Sequence, residues 1–379
     1  MRLKQLDALR ALAVILVLGH HVTWNPLWVR FGWSGVDLFF VLSGFLISGL
    51  LFREYKQYGS IHILRFWTRR ALKIYPAYYL LILATVSGRM LAKTPIGWSH
   101  IWPDLIFVQS YVPGTWGHLW SLAVEEHFYI LLPILLWAMM RRQCGRQDAF
   151  RHLPLVCLVI SVACLALRSA HLLTGEPFNF QWHKFATHVR LDALSFGVLL
   201  SYYWEFRHGV IERLFSDGGR FVLTVSLFLL APAVLFDQTN AFLSTAGLSL
   251  LYVGYGGLLL YSLKCVDGSG MVVRTLAKVG VYSYTLYLVH LPVASWCVGD
   301  LTPWAPANAP LIRDHAFLLF VCYFALTFAA GVLIAKLVEL PFLKLRDRLV
   351  PAQTDIEMTA PIPQAGADLG VLSAEEVGV

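Results

Sequence analysis

Leu6-Asp7-Ala8-Leu9-Arg10-Ala11-Leu12-Ala13-Val14-Ile15-Leu16-Val17-Leu18-Gly19-His20-His21-Val22-Thr23-Trp24 is the first long apolar stretch of this chain, and its reading decides the fold. It has the length of about 20 residues needed to cross a hydrocarbon core. Yet it carries Arg10 and His21. An ionisable side chain in lipid is costly unless it is paired or lines a wet cavity, so both are functional candidates. In a helix their spacing is close to three turns, which places them within about 20° of one face and about 16 Å apart along the axis. His20 lies roughly 80° off that face, so the geometry favours His21 over its neighbour.

Similar stretches recur. The chain has 379 residues, 58% of them apolar and 14% charged. A globular reading would need nearly every helix to be apolar all round, which is rare. We therefore expect an all-α polytopic membrane bundle of about ten spans, near 6–24, 36–52, 74–91, 118–140, 153–173, 187–204, 221–237, 241–263, 276–298 and 315–339. Asn25-Pro26-Leu27-Trp28 after the first stretch is no small-residue cleavage site, so that stretch reads as a retained span. Residues 104–113 are apolar but short and read as a re-entrant or interfacial helix on the outer side. About 22 of the 30 Lys and Arg residues fall in the termini and in the loops near 53–73, 141–151, 207–220 and 264–278. The opposite loops hold Arg30, Lys93, Lys184 and Arg313. The positive-inside rule then makes the rich side, with both termini, cytoplasmic. The formal charge of +7 thus reports topology, not nucleic acid. The membrane domain spans 1–345, and 346–379 reads as a disordered cytoplasmic tail, acidic and without Lys or Arg beyond Pro351. Six scattered cysteines form no CxxC or Cys/His cluster and read as small residues between helices, with no zinc or iron–sulfur centre. No internal repeat or soluble catalytic module is evident.

Five constellations could carry chemistry. Arg10 and His21 are the first; their alternatives are snorkelling to headgroups and an interfacial histidine bonded to backbone. The second is Gly35-Val36-Asp37-Leu38-Phe39-Phe40-Val41-Leu42-Ser43-Gly44-Phe45. In a hairpin of spans one and two, Asp37 reaches roughly the depth of His21, and a carboxylate on one ring nitrogen makes the other a better base. It also suits a first-turn acid, and Ser43-Gly44 suits close helix approach. The third is Phe66-Trp67-Thr68-Arg69-Arg70-Ala71-Leu72-Lys73, three cations at the expected cytoplasmic start of span three, where a phosphate-bearing donor would dock. Topology alone would also favour cations there. The fourth is His118-Leu119-Trp120-Ser121-Leu122-Ala123-Val124-Glu125-Glu126-His127-Phe128-Tyr129. Adjacent acids point about 100° apart, so at most one of Glu125 and Glu126 is expected to face a given site squarely. The fifth comprises Arg190 and Asp192 opening span six, His290 in the outer half of span nine, and Glu339 at the end of the last span. An Arg190–Asp192 pair suits structure as well as ligand binding.

Together these segments resemble acyltransferase family 3, integral-membrane enzymes that O-acetylate bacterial surface polysaccharides, lipopolysaccharide O-antigens and some secreted metabolites. The likeness covers the chain to about residue 345. Arg10-x10-His21, Gly35 to Phe45, Trp120-Ser121-Leu122 with Glu125 and Phe128-Tyr129, Arg190-Leu191-Asp192-Ala193-Leu194, and Tyr284 to His290 match its motifs in order. One motif departs: the family's Arg-x-x-Arg reads Arg70-x-x-Lys73 here, which keeps the charge but loses the bidentate fork. The resemblance implies an acyl-CoA donor, usually acetyl-CoA, and a sugar-hydroxyl acceptor. Some members carry an extracytoplasmic esterase-like domain; none is evident here, so the membrane domain is expected to act alone or with a partner.

The expectation is thus an O-acyltransferase of the bacterial inner membrane acting on an exported or lipid-linked glycan, with a homo-oligomer open. His21 would be base or transient acyl carrier, oriented by Asp37, Glu125 or Glu126. Arg10, Arg69, Arg70 and Lys73 would hold CoA phosphates. Ser43, His118, Trp120, Ser121, Arg190, Asp192 and His290 would stand on the acceptor side. A thioester is already activated, so no metal is required. Two alternatives remain at this stage: an acyltransferase for a small secreted metabolite, and a transporter or flippase. The absence of a second copy of these blocks counts against the transporter.

Overall fold

The computed structural model describes residues 3–21, 25–142, 148–174, 177–298 and 316–351. Among these every regular element is a helix. In chain order they are α1 (Lys4–His20), α2 (Pro26–Phe31), α3 (Gly35–Tyr58), α4 (Ile63–Leu91), α5 (Trp98–Leu105), α6 (Trp120–Arg142), α7 (Leu153–Leu173) and α8 (Leu191–Phe206). There follow α9 (His208–Leu214), α10 (Arg220–Leu230), α11 (Pro232–Leu235), α12 (Leu248–Cys265), α13 (Met271–Gly280), α14 (Ser283–Val298), α15 (Ala316–Ile334) and α16 (Leu340–Leu349).

Six segments are long and apolar enough to cross a membrane: Pro26–Tyr58, Ile63–Leu91, Gly117–Arg142, Leu153–Leu173, Leu243–Cys265 and Phe317–Leu349. The protein is an all-α polytopic bundle. Each of the ten expected spans contains a helix, but four are shorter than the sequence suggested. α1, α8 and α14 run 17, 16 and 16 residues, and α10 is cut from α11 before Pro232. The ninth expected span is broken at residues 281–282, so α13 and α14 are separate helices. At Gly280 an added Cβ would lie 1.8 Å from the Asp7 carbonyl oxygen, so α13 ends hard against α1.

Span three is longer than expected. α4 has 29 residues, about 43 Å against a hydrocarbon core of about 30 Å. It continues through the cationic run, so Arg69, Arg70 and Lys73 sit two to three turns inside the helix and not at its N-terminus. The helix dipole therefore adds nothing at Arg70, and any anion site there rests on side chains. The short outer helix also differs: α5 precedes residue 106, and the rest of 106–116 is irregular. The Tyr78 hydroxyl donates to the Asp104 carbonyl at 3.0 Å, which holds this backbone against the middle of α4. α16 runs to Leu349, past the expected domain boundary, while residues 352–379 of the expected tail lie outside the described residues. Cys157 and Cys164 are packed inside as expected, but Cys265 and Cys322 are exposed.

α3 is the central helix. In its apolar window 78% of the residues are buried, against 17% in Phe317–Leu349 and 22% in Leu153–Leu173, which are left for lipid. Small residues let α8 approach it closely. A Cβ on Gly44 would fall 2.0 Å from the Leu194 carbonyl oxygen, and one on Gly197 2.3 Å from that of Val41. One apolar cluster joins α3, α6, α8 and α12 through residues such as Leu38, Phe45, Leu132, Val198 and Leu259. A second joins α1, α4, α6, α14 and α15 through Val17, Tyr78, Ala123, Leu286 and Tyr323. The seam between the two clusters holds the site described next.

The crossing of α3 and α8 makes a direct prediction. Gly197→Leu must force backbone apart and should lower stability by about 1–3 kcal/mol or more. Gly88→Ala, where an added Cβ meets nothing within 4 Å, should be neutral or slightly stabilising. Thermal unfolding of purified protein in detergent checks both; equal melting temperatures for the two variants would disprove the close packing.

Candidate active site

A cavity of about 220 Å³ lies in the seam, walled by α1, α3, α4, α6, the 280–287 segment and residues 335–343. Its polar lining includes Arg10, Arg70, Lys73, Glu125, Glu126 and Glu339. Three cations thus face three carboxylates. Both Glu125 and Glu126 reach the cavity, against the expectation that only one could, because it is wide enough for the two to flank it. The Tyr75 hydroxyl donates to Glu126 Oε2 at 3.2 Å. Glu125 faces the Ser43 and Tyr129 hydroxyls, which bond each other at 2.6 Å. The Arg70 guanidinium carbon stands 4.5 Å over the Tyr129 ring, and its Nε is buried without a partner. Arg10 also contacts Asp7 at 3.5 Å. Residues 335–339 form one turn of π-helix between α15 and α16, which carries the half-wall with Glu339.

Ser121 and Tyr287 also line the cavity, and their hydroxyls bond at 2.6 Å. Behind Tyr287 stand three imidazoles. The Tyr287 ring centroid is 5.5 Å from that of His118 and 5.2 Å from that of His290. The His290 ring lies 4.8 Å from that of His21. His21 caps the C-terminus of α1, and its Nδ1 lies 2.9 Å from the Val17 carbonyl oxygen. A carbonyl only accepts, so Nδ1 carries the hydrogen and Nε2 keeps its lone pair. His21 is thus one ring removed from the cavity lining. The neighbouring His20 is turned aside to the Val29 carbonyl at 2.6 Å.

Several residues singled out from the sequence lie elsewhere. Asp37 is 1% exposed and bound by Arg190 Nη2 at 2.5 Å, not by the His21 ring. Asp192 is held by Arg168 Nη1 at 2.7 Å, so Arg190 and Asp192 do not pair with each other. Lys184 completes this buried group, with Nζ 2.6 Å from Gln238 Oε1 and 3.5 Å from the Trp33 ring centroid. Trp120 stacks on Phe185 at 4.5 Å and flanks Arg190. Arg69 points to Asp347 at 3.0 Å and to the Val350 carbonyl, away from the cavity lining. The sequence reading missed Arg168 and Tyr287. Arg168 had a signal: it is the lone Arg or Lys within the apolar run of α7, which an intramembrane-charge rule flags. Among the described residues no group of three or more His, Cys, Asp or Glu is arranged to hold a metal ion.

A membrane-crossing helix bundle with an ionisable cavity ending at buried imidazoles is the class that fold and site define. The chain belongs to acyltransferase family 3: the family's acyltransferase-domain model matches residues 3–336. It is similar to the O-acetyltransferase OatA of Staphylococcus aureus (strain NCTC 8325), with 28% identity over 316 residues, 76% of this chain and 50% of that protein. A putative O-acetyltransferase of S. aureus (strain COL) is 27% identical over 328 residues, 77% of this chain and 50% of that one. The chain therefore spans about half the length of the curated relatives it matches. No solved structure matches it.

The buried ion pairs predict a structural phenotype for Asp37. Asp37→Asn leaves Arg190 uncompensated in the interior, at a cost of about 3–5 kcal/mol. The yield of monodisperse protein in detergent should drop sharply, and replacing both partners (Asp37→Leu with Arg190→Met) should recover part of it. Full yield of the single variant would show that the pair is dispensable.

Proposed function

We propose that this chain is a membrane O-acyltransferase that moves an acetyl group from cytoplasmic acetyl-CoA to a hydroxyl of an exported or lipid-linked glycan. One observation carries the reading: a single cavity joins Arg10, Arg70 and Lys73 to Glu125, Glu126 and Tyr287, and the Tyr287 ring contacts His290, whose ring contacts His21. Membership of the acyltransferase family and similarity to proteins named O-acetyltransferase support it. The setting we propose is the bacterial inner membrane, with both termini cytoplasmic.

The three cations serve phosphate groups of the donor, since charge-assisted hydrogen bonds from Arg and Lys suit phosphate oxygens. Glu125, Glu126 and Glu339 offset them when the donor is absent and keep the cavity hydrated. The acyl arm extends toward Tyr287. His21 Nε2, a neutral lone pair, takes the proton of the acceptor hydroxyl as that oxygen attacks the thioester carbonyl. Ser121 and Tyr287 line the cavity here, their hydroxyls bonded to each other and to the His118 carbonyl oxygen. The carbonyl carbon exchanges sulfur for oxygen, and the thiol departs with CoA.

Transfer of radiolabelled acetyl from CoA to membrane glycan tests this in vesicles. His21→Ala should lower kcat by about 10²–10⁴-fold with protein level unchanged. Arg70→Ala should raise KM for the donor about tenfold or more, the scale of one charge-assisted bond. Full transfer by His21→Ala would remove the base role, and an unchanged donor KM in Arg70→Ala would move the donor site elsewhere.

A further inference from the structure

One turn outward from the cavity wall, α4 and α16 bring a second set of charges together. Lys73 and Leu343 line the cavity. Arg69 lies four residues before Lys73 on α4, and Asp347 lies four residues after Leu343 on α16. Each is therefore about 5.4 Å further along the same helix face. Arg69 Nη2 donates to Asp347 Oδ1 at 3.0 Å. Arg346 donates to the same oxygen, from Nε at 2.9 Å and from Nη2 at 2.8 Å. Arg69 also donates to the Val350 carbonyl, and Arg65, one turn back on α4, to that of Pro351. Both Arg346 and Arg65 repel Arg69 electrostatically, and Glu54 of α3 acts on Arg65. Two guanidiniums thus converge on one oxygen of a singly charged carboxylate, with a third cation close by.

A carboxylate is a small anion for such a setting. A phosphomonoester carries about −1.5 to −2 charge at pH 7 and three strong acceptor oxygens. Guanidinium forks match those oxygens in pairs. Asp347 is also readily given up: its side chain is 54% exposed, so water receives it at little cost. Exposed ion pairs of this kind contribute little to folding, and α16 buries none of its residues. Coenzyme A carries a phosphomonoester of this type. It is the 3′-phosphate of the ribose, and it lies beyond the diphosphate on the side away from the thioester. The cavity, at about 220 Å³, is smaller than the pockets of about 300–1,000 Å³ that enclose drug-sized ligands. With the acyl arm inside and the diphosphate at Arg70 and Lys73, the ribose end must therefore lie beyond the cavity wall, where Arg69 and Arg346 stand.

We propose that Arg69 and Arg346 form the subsite for the 3′-phosphate of the donor, and that Asp347 occupies the two guanidiniums until that phosphomonoester displaces it. This rests on the acetyl-CoA donor proposed above. The exchange makes and breaks no covalent bond. Phosphate oxygens take over the hydrogens of Arg69 Nη2 and of Arg346 Nε and Nη2, and the carboxylate turns to water. The phosphate then bridges α4 and α16 where the carboxylate did. Leu340 and Leu343 of α16 stay in the cavity wall, so the bridge closes that wall over the bound donor. Lipid headgroup phosphates share this chemistry, and the test separates the two sources.

The test measures binding of acetyl-CoA and of acetyl-3′-dephospho-CoA, which lacks only that phosphate. Purified full-length protein is titrated in lipid nanodiscs, either of neutral phosphatidylcholine or containing anionic phosphatidylglycerol. In neutral discs the unaltered protein should bind acetyl-CoA about tenfold more tightly than the dephospho form, the scale of a charge-assisted hydrogen bond. Arg346→Gln should raise Kd for acetyl-CoA about fivefold or more and leave Kd for the dephospho form unchanged. Asp347→Asn removes the competing anion, so Kd for acetyl-CoA should fall about twofold to fivefold, the scale of an exposed ion pair. Equal affinity of the unaltered protein for the two donors overturns the proposal. So does a rise in Kd for acetyl-CoA in Asp347→Asn, which would make the carboxylate a support for the arginines and not a competitor. Arg346→Gln weakening both donors alike, and only in anionic discs, assigns the arginines to lipid headgroups and also overturns it. Binding of neither donor overturns instead the reading it rests on. If Arg346→Gln fails to accumulate, the donor comparison and Asp347→Asn decide.

Discussion

A carboxylate and a guanidinium 2.5 Å apart in the interior of a helix bundle set the terms for this protein. Asp37 belongs to the first turn of α3, and Arg190 caps the start of α8. In a low-dielectric interior neither could stay charged alone. Their bond fixes the register of the two helices, which the facing glycines 44 and 197 bring into near backbone contact. Arg168 and Asp192 repeat the device two residues further along α8, between α7 and α8. A rigid half-molecule results, centred on α3. The other half, α1, α4, α14 and α15, packs on it along a seam, and the cavity lies in that seam.

The charge pattern divides labour between these halves. The two buried ion pairs at the start of α8 close at 2.7 Å or less. In the seam, cations and carboxylates together line an open volume. Tyr129, Tyr284 and Tyr287 line the same volume. Such an arrangement suits a donor that carries its own negative charge and must be held while a neutral group is passed onward. Among the described residues His21, His118 and His290 have no ion-pair partner, which suits a group that has to change its protonation state within a turnover.

Much of this was legible in the sequence, for reasons that differ by residue. Arg10, Glu125 and Glu126 stood out because charge within apolar stretches needs a cause, Arg70 and Lys73 as part of a cation run at the start of a span, and all five line the cavity. The helices followed from apolar length and from the asymmetry of Lys and Arg. Partner choice was not legible. Asp37 looked suited to His21 by depth along adjacent helices, but depth says nothing about azimuth, and α8 brings Arg190 to the same face. Arg190 and Asp192 looked like a pair because they are close in sequence, yet two residues apart on a helix they point about 200° apart. Arg69 and Arg70 could not be ranked by type; one helical step sends the first to Asp347 and the second over Tyr129. The break at 281–282 was hidden; it adjoins a long-range contact of Gly280 with the Asp7 backbone that sequence spacing does not report.

The central claim is that the cavity in the seam opens to the donor side of the membrane and is where the donor sits. Cysteine accessibility addresses it most directly. A single cysteine at position 43, introduced as Ser43→Cys in a background without native cysteines, is exposed to a small membrane-impermeant thiol reagent in vesicles of defined sidedness. The account predicts labelling from the cytoplasmic face and protection by acetyl-CoA. Labelling only from the opposite face, or labelling indifferent to acetyl-CoA, would contradict it.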